Sequence, residues 1–338
     1  MCMTEVELKT QLRSRSICVV IPTYNNDKTI KTVVEKTLCY CTDVIVVADG
    51  CTDNTLNILR GIPQITIISY PKNKGKGYAL KAGFKAALAK GFSYAITHDG
   101  DGQHYPEDIQ LFLRANQQYP YSLIIGSRQL EGVERSSGSK FANHFSNFWF
   151  YIQTGRALKD TQTGYRLYPL KRLHGLSLLT SRYEAELELL VFASWHGVKL
   201  VSIPIKVYYP PRTERVSHFR PGIDFARISL LNTILCFLAV VYGLPLRLGR
   251  LFMQVIRTVY SLLFFLFFTL VVFTPFVWIY TRLGKMTEKK RYRLHLLIYH
   301  ASRFVMIHHG IPGTKFQYKI AKGIDFNQPR IIISSVPP

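Results

Sequence analysis

Asp99 and Asp101 stand one residue apart in His98-Asp99-Gly100-Asp101-Gly102-Gln103-His104, directly after the apolar run Tyr94-Ala95-Ile96-Thr97. Two carboxylates at the end of a predicted strand present oxygen ligands from a tight turn. Such a donor set suits Mg²⁺ or Mn²⁺ already carrying phosphate oxygens. The flanking glycines let the backbone turn sharply and approach a ligand closely. A solvated turn is the plain alternative for a lone D-x-D, and only the surrounding motifs decide between the two.

The elements that must position this turn follow from hydrophobic patterning. Residues 16–22 form a buried-strand pattern ended by Pro22, and Thr23-Tyr24-Asn25-Asn26-Asp27 is turn chemistry. A helix is predicted over 28–39 and a second strand over 43–48. That strand closes in Asp49-Gly50-Cys51-Thr52-Asp53-Asn54-Thr55, where Thr52 or Asp53 opens the next helix. A third short strand is predicted over 65–68. Asn73-Lys74-Gly75-Lys76-Gly77 then leads into an amphipathic helix over 78–89, the fourth strand reaches the D-x-D, and 122–128 reads as a fifth strand. Strands alternating with helices imply an α/β fold with a largely parallel sheet and helices on both faces. Ligands of such sheets sit beyond the carboxyl ends of the strands, and every polar motif named here falls at that edge.

Taken in order, Pro22-Thr23-Tyr24-Asn25, Asp49 to Thr55, Asn73 to Gly77 and Asp99 to His104 resemble the family 2 glycosyltransferases, in particular the dolichol-phosphate mannosyltransferase branch. Gly126-Ser127-Arg128, Asp160-Thr161-Gln162-Thr163-Gly164-Tyr165-Arg166 and Tyr183-Glu184-Ala185-Glu186 extend the match, which covers about residues 16–232. Ala48, Cys51 and Asn26 depart from residue types common in relatives and bear on the nucleotide preference. The resemblance implies a GT-A type, Rossmann-like domain that transfers a sugar from a nucleoside diphosphate sugar with inversion. It further implies that Asp101 and Gln103 bind Mg²⁺ or Mn²⁺, with Asp99 bridging to ribose or metal. Pro22, Tyr24 and Asp49 would line the base and ribose pocket, and Lys76 would reach the diphosphate. Bland alternatives stand beside these roles: Gln103 as a turn residue, Asp49 as a helix cap, Lys76 as a solvated helix-start lysine.

The acceptor separates two chemistries. A hydroxyl needs a general base, for which Asp160 is the candidate beside Asp101 in the catalytic set. A prenyl phosphate is already an anion and needs cations and orientation instead. By resemblance Arg128 binds that phosphate, with Lys140 and His144, four apart on one helix face, and Arg166 nearby. A solvated helix face is the alternative for Lys140 and His144, and ion pairing with Asp160 is the alternative for Arg166. Phe141, Phe145, Phe148 and Trp149 recur with helical spacing, as core or as the lining of a lipid groove. Glu184 and Glu186 are either site residues or structural partners of buried arginines.

The chain has 338 residues, enough for one large domain plus an appendage, and its 48% hydrophobic content excludes a disordered chain and points to membrane contact. Its net charge of +22 is uneven: residues 229–338 hold 14 Lys/Arg against Glu288 and Asp325. A basic stretch beside apolar runs favours an anionic membrane surface over nucleic acid. The six cysteines show no disulfide framework, in keeping with a reducing cytoplasm. Cys39-Tyr40-Cys41 is a soft-metal pair or a pair of strand-edge thiols. Residues 1–15, polar and charged, read as an N-terminal extension rather than a leader, ahead of a glycosyltransferase domain over 16–228.

Residues 229–246 carry no charge but are interrupted by Gly243 and Pro245. Residues 261–280 carry none either, and are long enough to cross a bilayer core of about 30 Å. Two full spans would leave Arg247, Arg250 and Arg257 in a short outer loop, against the positive-inside tendency. An interfacial first segment and an inserted or re-entrant second one are therefore expected over 229–281. The catalytic domain then faces the cytoplasm, where nucleotide sugars are, at a bacterial inner membrane. The basic tail over 282–338 resembles the opening of a 1-acylglycerol-phosphate acyltransferase domain. None of the ten histidines has aspartate five positions later, so acyl transfer is unsupported; a truncated glycosyltransferase–acyltransferase fusion is expected, with a basic membrane-bound tail as the alternative. Two rival functions follow: glycosylation of a hydroxyl on a lipid or carrier-bound acyl chain, and a non-catalytic nucleotide-sugar binder or scaffold.

Overall fold

The computed structural model describes residues 4–129, 137–176, 178–208, 221–283 and 287–309. It opens with α1 (Glu5–Ser14), β1 (Ile17–Thr23), α2 (Ile30–Tyr40), β2 (Val44–Asp49), α3 (Thr55–Arg60) and β3 (Thr66–Tyr70). Next come α4 (Lys76–Ala89), β4 (Tyr94–Thr97), α5 (Ile109–Gln118), β5 (Leu123–Arg128) and α6 (Ser137–Thr154). The sheet is completed by β6 (Arg166–Pro169), α7 (Leu170–Leu173), α8 (Glu184–Trp195) and β7 (Leu200–Ile205). Every side chain of β1, β2 and β4 is buried, which explains why they read as unbroken apolar runs rather than alternating ones.

The strands lie in the order β3-β2-β1-β4-β6-β5-β7. β1 to β4 are mutually parallel where they pair, β5 is parallel to β7, and β6 runs antiparallel to both β4 and β5. The chain winds outward from β1 to β2 and β3 on one side and to β4 on the other. This leaves a crevice at the carboxyl ends of β1 and β4, where such sheets bind ligands. Helices α1, α2, α3 and α5 cover one face, with Leu8, Leu12, Val34, Leu59 and Phe112 in their core. Helices α4, α6, α7 and α8 cover the other, around Ala79, Phe150, Leu190 and Trp195. The N-terminal segment, set apart as an extension by its polarity, is capped by a Thr4/Glu7 capping box and buries Leu8 and Leu12.

One compact unit runs through Arg247 and so includes α9 (Pro221–Leu238), beyond the boundary at 228 expected from composition. Leu231 and Leu235 of α9 join the second core. Gln153 Nε2 donates to Asn232 Oδ1 at 2.9 Å, and Trp195 Nε1 donates to the Gln153 carbonyl at 2.8 Å. A π-helical turn at Ala239–Gly243 lays Gly243 on the Trp195 indole, Tyr242 hydrogen-bonds His196, and Arg247 donates to the Thr154 carbonyl at the end of α6.

The helix continues through α10 (Leu244–Phe267), a second π-helical turn (Phe268–Phe273) and α11 (Thr274–Arg282). The two apolar runs are thus not separated by a loop. One helix, Ala226–Arg282, is long and apolar enough to cross a membrane. Its 57 residues are far more than the roughly 20 that a hydrocarbon core requires. The interruption expected at Gly243 and Pro245 becomes a π turn, and a second π turn precedes Pro275. Each proline lacks an N–H and crowds the carbonyl four residues back, at Val241 and Val271, which a wider turn relieves. The second unit, Leu248–Pro338, also holds α12 (Glu288–His309), where Lys290 lies 5.0 Å from the Tyr280 ring. The acyltransferase-like stretch up to Ser334 falls mostly in residues 310–338, outside the described residues.

Candidate active site

Three strand ends and two helix starts build the site. At the end of β1, Pro22 is buried in register with Val47, and Tyr24 follows it half-buried. Asn25 takes a left-handed conformation (φ 51°), and its Oδ1 accepts the Thr52 N–H at 2.8 Å, tying the β1 loop to the β2 loop. Asp53 accepts N–H groups from Thr55 and Asp27 just ahead of α3, whose N-cap position is taken by Asn54 rather than by the expected Thr52 or Asp53. Asp49 is almost fully buried. Its carboxylate accepts the Lys74 and Gly75 N–H groups, both at 2.8 Å, and the Asn73 side-chain amide at 3.0 Å. In this arrangement Asp49 organises the loop over 73–75 and does not present an open carboxylate. Gly50 admits the close approach: a Cβ there would stand 2.2 Å from the Asn73 nitrogen.

The D-x-D turn follows β4. Asp101 Oδ1 accepts the Gln103 N–H at 3.0 Å, while Thr29 Oγ1 donates to the Gly100 carbonyl at 2.7 Å. Asp99 is ion-paired with Lys76, Nζ to Oδ1 2.7 Å, and the same ammonium lies 2.8 Å from Glu186 Oε2. Lys76 is therefore neither solvated nor directed at open space; it is clamped between two carboxylates. Burial opposes its charge, but Asp99 and Glu186 outweigh that and hold its pKa above the usual ammonium range. Burial and the neighbouring Asp99 push Asp101 up to about 6. Burial works against the charge of Asp99 as well, yet Lys76 keeps its pKa below the usual carboxylate range. Two crowded, desolvated carboxylates are the arrangement that a divalent cation relieves. Among the described residues no three His, Cys, Asp or Glu side chains gather to hold a metal alone. The Gln103 amide, two residues on in the same turn, is a further oxygen donor at this place.

Gly164 closes over this pair, and a Cβ there would stand 2.8 Å from both Asp99 Oδ2 and Lys76 Nζ. Behind it, Thr97 Oγ1 donates to the Gly164 carbonyl at 2.7 Å. His104 packs on the Tyr165 ring at 5.0 Å, and burial lowers its pKa to about 3, so it is neutral.

Arg128 and Asp160 meet on the other side of the crevice. Nε lies 2.6 Å from Oδ2 and Nη2 lies 2.9 Å from Oδ1, a bidentate pair that the Gln162 N–H joins at 3.1 Å. The partner of Asp160 is therefore Arg128, not Arg166. Arg166 is fully buried and donates to the Tyr168 hydroxyl and to the carbonyls of Glu186 and Thr161. These bonds tie the start of β6 to α8 and to the Asp160 loop. His144 is exposed on α6; Lys140 lies on the same helix, with its side chain outside the described residues. The aromatic stripe of α6 is not core: Phe141 and Phe148 are more than half exposed, and so are Tyr151 and Ile152. This helix is tied to the Asp160 loop by Asn147, which accepts the Thr161 N–H at 3.1 Å.

Sequence reasoning passed over Glu188, whose carboxylate accepts the Leu179 and Thr180 N–H groups and anchors the loop before α8. It also missed Lys76 as the partner of Glu186. The signal lay in the Glu184, Glu186, Glu188 series, three acids on an otherwise apolar helix.

Residues 18–169 match the family model described as glycosyl transferase family 2. A UDP-N-acetylglucosamine–dolichyl-phosphate N-acetylglucosaminyltransferase of Methanococcus voltae is 30% identical, over 59% of this chain and 88% of its own length. A polyprenol monophosphomannose synthase of Mycolicibacterium smegmatis is 31% identical, over 55% of this chain and 75% of its own. Among solved structures, glucosyl-3-phosphoglycerate synthase from Mycobacterium tuberculosis, crystallised with Mn²⁺, UDP and phosphoglyceric acid, superposes with a TM-score of 0.52. It is 19% identical and covers 70% of this chain and 82% of its own, a likeness in fold alone.

Proposed function

The chain belongs to glycosyltransferase family 2 and is a glycosyltransferase, and from that premise we propose that it transfers a sugar from a nucleoside diphosphate sugar to a polyprenyl phosphate, with inversion. A phosphate oxygen attacks the anomeric carbon, the bond to the nucleoside diphosphate breaks, and the diphosphate departs with both electrons. Asp99, Asp101 and Gln103 would hold Mg²⁺ or Mn²⁺, which when bound neutralises charge on the leaving diphosphate. Lys76 adds a positive charge beside them that would help to stabilise the leaving diphosphate.

The observation that carries the choice of acceptor is the state of Asp160. A hydroxyl acceptor requires a base able to take a proton, whereas this carboxylate is buried and held by a bidentate arginine and a backbone N–H. A phosphate acceptor is already an anion and requires none. The names of the two relatives, both transferases to polyprenyl-type phosphates, support the same acceptor class. The exposed aromatic face of α6 starts beside the Arg128–Asp160 pair and offers the isoprenoid chain a surface, with His144 and Lys140 as flanking cations for its phosphate. Membrane attachment through 226–282 brings the site to its lipid, on the cytoplasmic face where the donor is made.

The test uses detergent-solubilised full chain, Mn²⁺ or Mg²⁺, a panel of UDP- and GDP-sugars, and undecaprenyl phosphate, with release of nucleoside diphosphate as the readout. Release should require the lipid phosphate and metal, should stop with EDTA, and should fall at least about 100-fold in Asp101→Ala. Asp160→Asn should keep transfer to phosphate within about tenfold. Release with a hydroxylated lipid but not with the phosphate, lost in Asp160→Asn, would overturn the acceptor assignment.

A further inference from the structure

Glu186 lies on the first turn of α8, on a different element from any strand end of the site, and yet it shares one ammonium with the D-x-D turn. Lys76 Nζ lies 2.7 Å from Asp99 and 2.8 Å from Glu186. The second oxygen of Glu186, Oε1, is buried and has no hydrogen-bond partner among the described residues. The backbone that carries this carboxylate is held, because the fully buried Arg166 donates to the Glu186 carbonyl at 2.9 Å and to the Thr161 carbonyl at 2.8 Å. Gly77 lets the two helices meet at this point: a Cβ on it would stand 2.3 Å from that of Ala185. Lys76 and Glu186 are thus one residue from a helix–helix contact too tight to slide.

We infer that Glu186 is a positioning residue that holds Lys76 as an exchangeable counter-ion for Asp99. The inference rests on the metal-dependent reading given above. When Asp99 turns its charge to a divalent cation, the ammonium must leave it. Without a second carboxylate, Lys76 would either stay and compete with the cation or swing out of the site. Glu186, with one oxygen engaged and the other in reserve, retains the ammonium at the edge of the site as it shifts, where the donor's diphosphate then meets it. The role is electrostatic, so its signature is the net charge of the cluster rather than the shape of either side chain.

The experiment measures Mn²⁺ affinity of the detergent-solubilised full chain by electron paramagnetic resonance, without nucleotide, and then UDP and GDP affinity with Mn²⁺ present. Glu186→Gln should weaken Mn²⁺ binding about tenfold, because it removes one negative charge and leaves Lys76 with Asp99 alone. Lys76→Gln should do the reverse for Mn²⁺ alone but lose several-fold in nucleoside diphosphate affinity. The double variant, with the cluster charge restored, should bring Mn²⁺ affinity back to within about threefold of wild type even if the melting temperature stays low. Recovery of this kind is not expected of a purely structural brace. Variants that bind Mn²⁺ as wild type does, while only their melting temperatures fall, overturn the inference. A double variant weaker than Glu186→Gln does so as well. Wild-type protein that binds no Mn²⁺ and turns over in EDTA overturns the metal-dependent reading and the inference with it.

Discussion

At the scale of single residues the site is defined by what each carboxylate already holds. Asp49 holds a loop, Asp160 holds Arg128, and Asp99 holds Lys76, which leaves Asp101 the least neutralised acid of the set. Gly164 tests this arrangement directly. Gly164→Ala puts a methyl against Asp99 and Lys76, so kcat/KM should fall about 10- to 100-fold while the melting temperature changes by only a few degrees. A second residue tests the electrostatics of burial away from the chemistry. Asp108 is buried, burial raises its pKa, and its oxygen accepts the Lys206 N–H at 3.0 Å. A carboxyl raised in the folded state favours folding when protonated and loses that advantage as pH rises through its folded pKa. Asp108→Asn keeps the acceptor without the charge. Thermal melts should show it more stable than wild type at pH 7, with the difference closing as the pH approaches 4. The D-x-D pair and the turn ahead of α3 were legible in residue type and spacing. The partner of each acid was not, because Lys76, Glu186 and Arg128 are brought to them from elements remote in sequence.

At the scale of elements, the sheet order explains why β6 escaped the sequence reading. Arg166-Leu167-Tyr168-Pro169 is short, begins with a charge and ends in proline, and it reads as a strand only because β4 and β5 flank it on both sides. Two carbonyls and a hydroxyl engage the Nη1 and Nη2 groups of Arg166 there, while its buried Nε has no partner among the described residues. The α6 stripe shows the converse: its 3.6-residue period was visible, but a period reports that a face is apolar and not what covers it. The joint between α8 and the long helix makes a sharper prediction. Gly243→Leu drives a side chain into the Trp195 ring, with a Cβ only 2.7 Å from the indole, and should cost about 1–3 kcal/mol of stability. Tryptophan emission should shift to longer wavelength as buried Trp195 meets water. An unchanged spectrum and melting temperature would argue against this packing in solution.

At the scale of the whole molecule the chain combines a GT-A type unit with a helix whose apolar surface lies exposed over most of its length. Trp278 and Tyr280 stand near the end of the apolar run with Arg282 and Lys290 over their rings, the composition of a membrane–water boundary. Arg247, Arg250 and Arg257 fall on one side of α10, where Gln254 joins them. The full chain should therefore co-sediment with vesicles, more strongly when they contain anionic lipid. Arg250→Gln with Arg257→Gln should weaken that added affinity by about 1 kcal/mol per charge, and high salt should remove the difference. The sequence alone determined the fold class, the sheet edge at which the polar motifs gather, and the presence of long apolar runs, because buried strands, turn glycines and uncharged runs are local properties of composition and period. It could not determine that Lys76 sits between Asp99 and Glu186, that Arg128 rather than Arg166 pairs with Asp160, or that two prolines widen one helix instead of ending it. Those outcomes depend on which groups share a desolvated space. Only packing of the sheet and its helices settles which charge each buried charge must face.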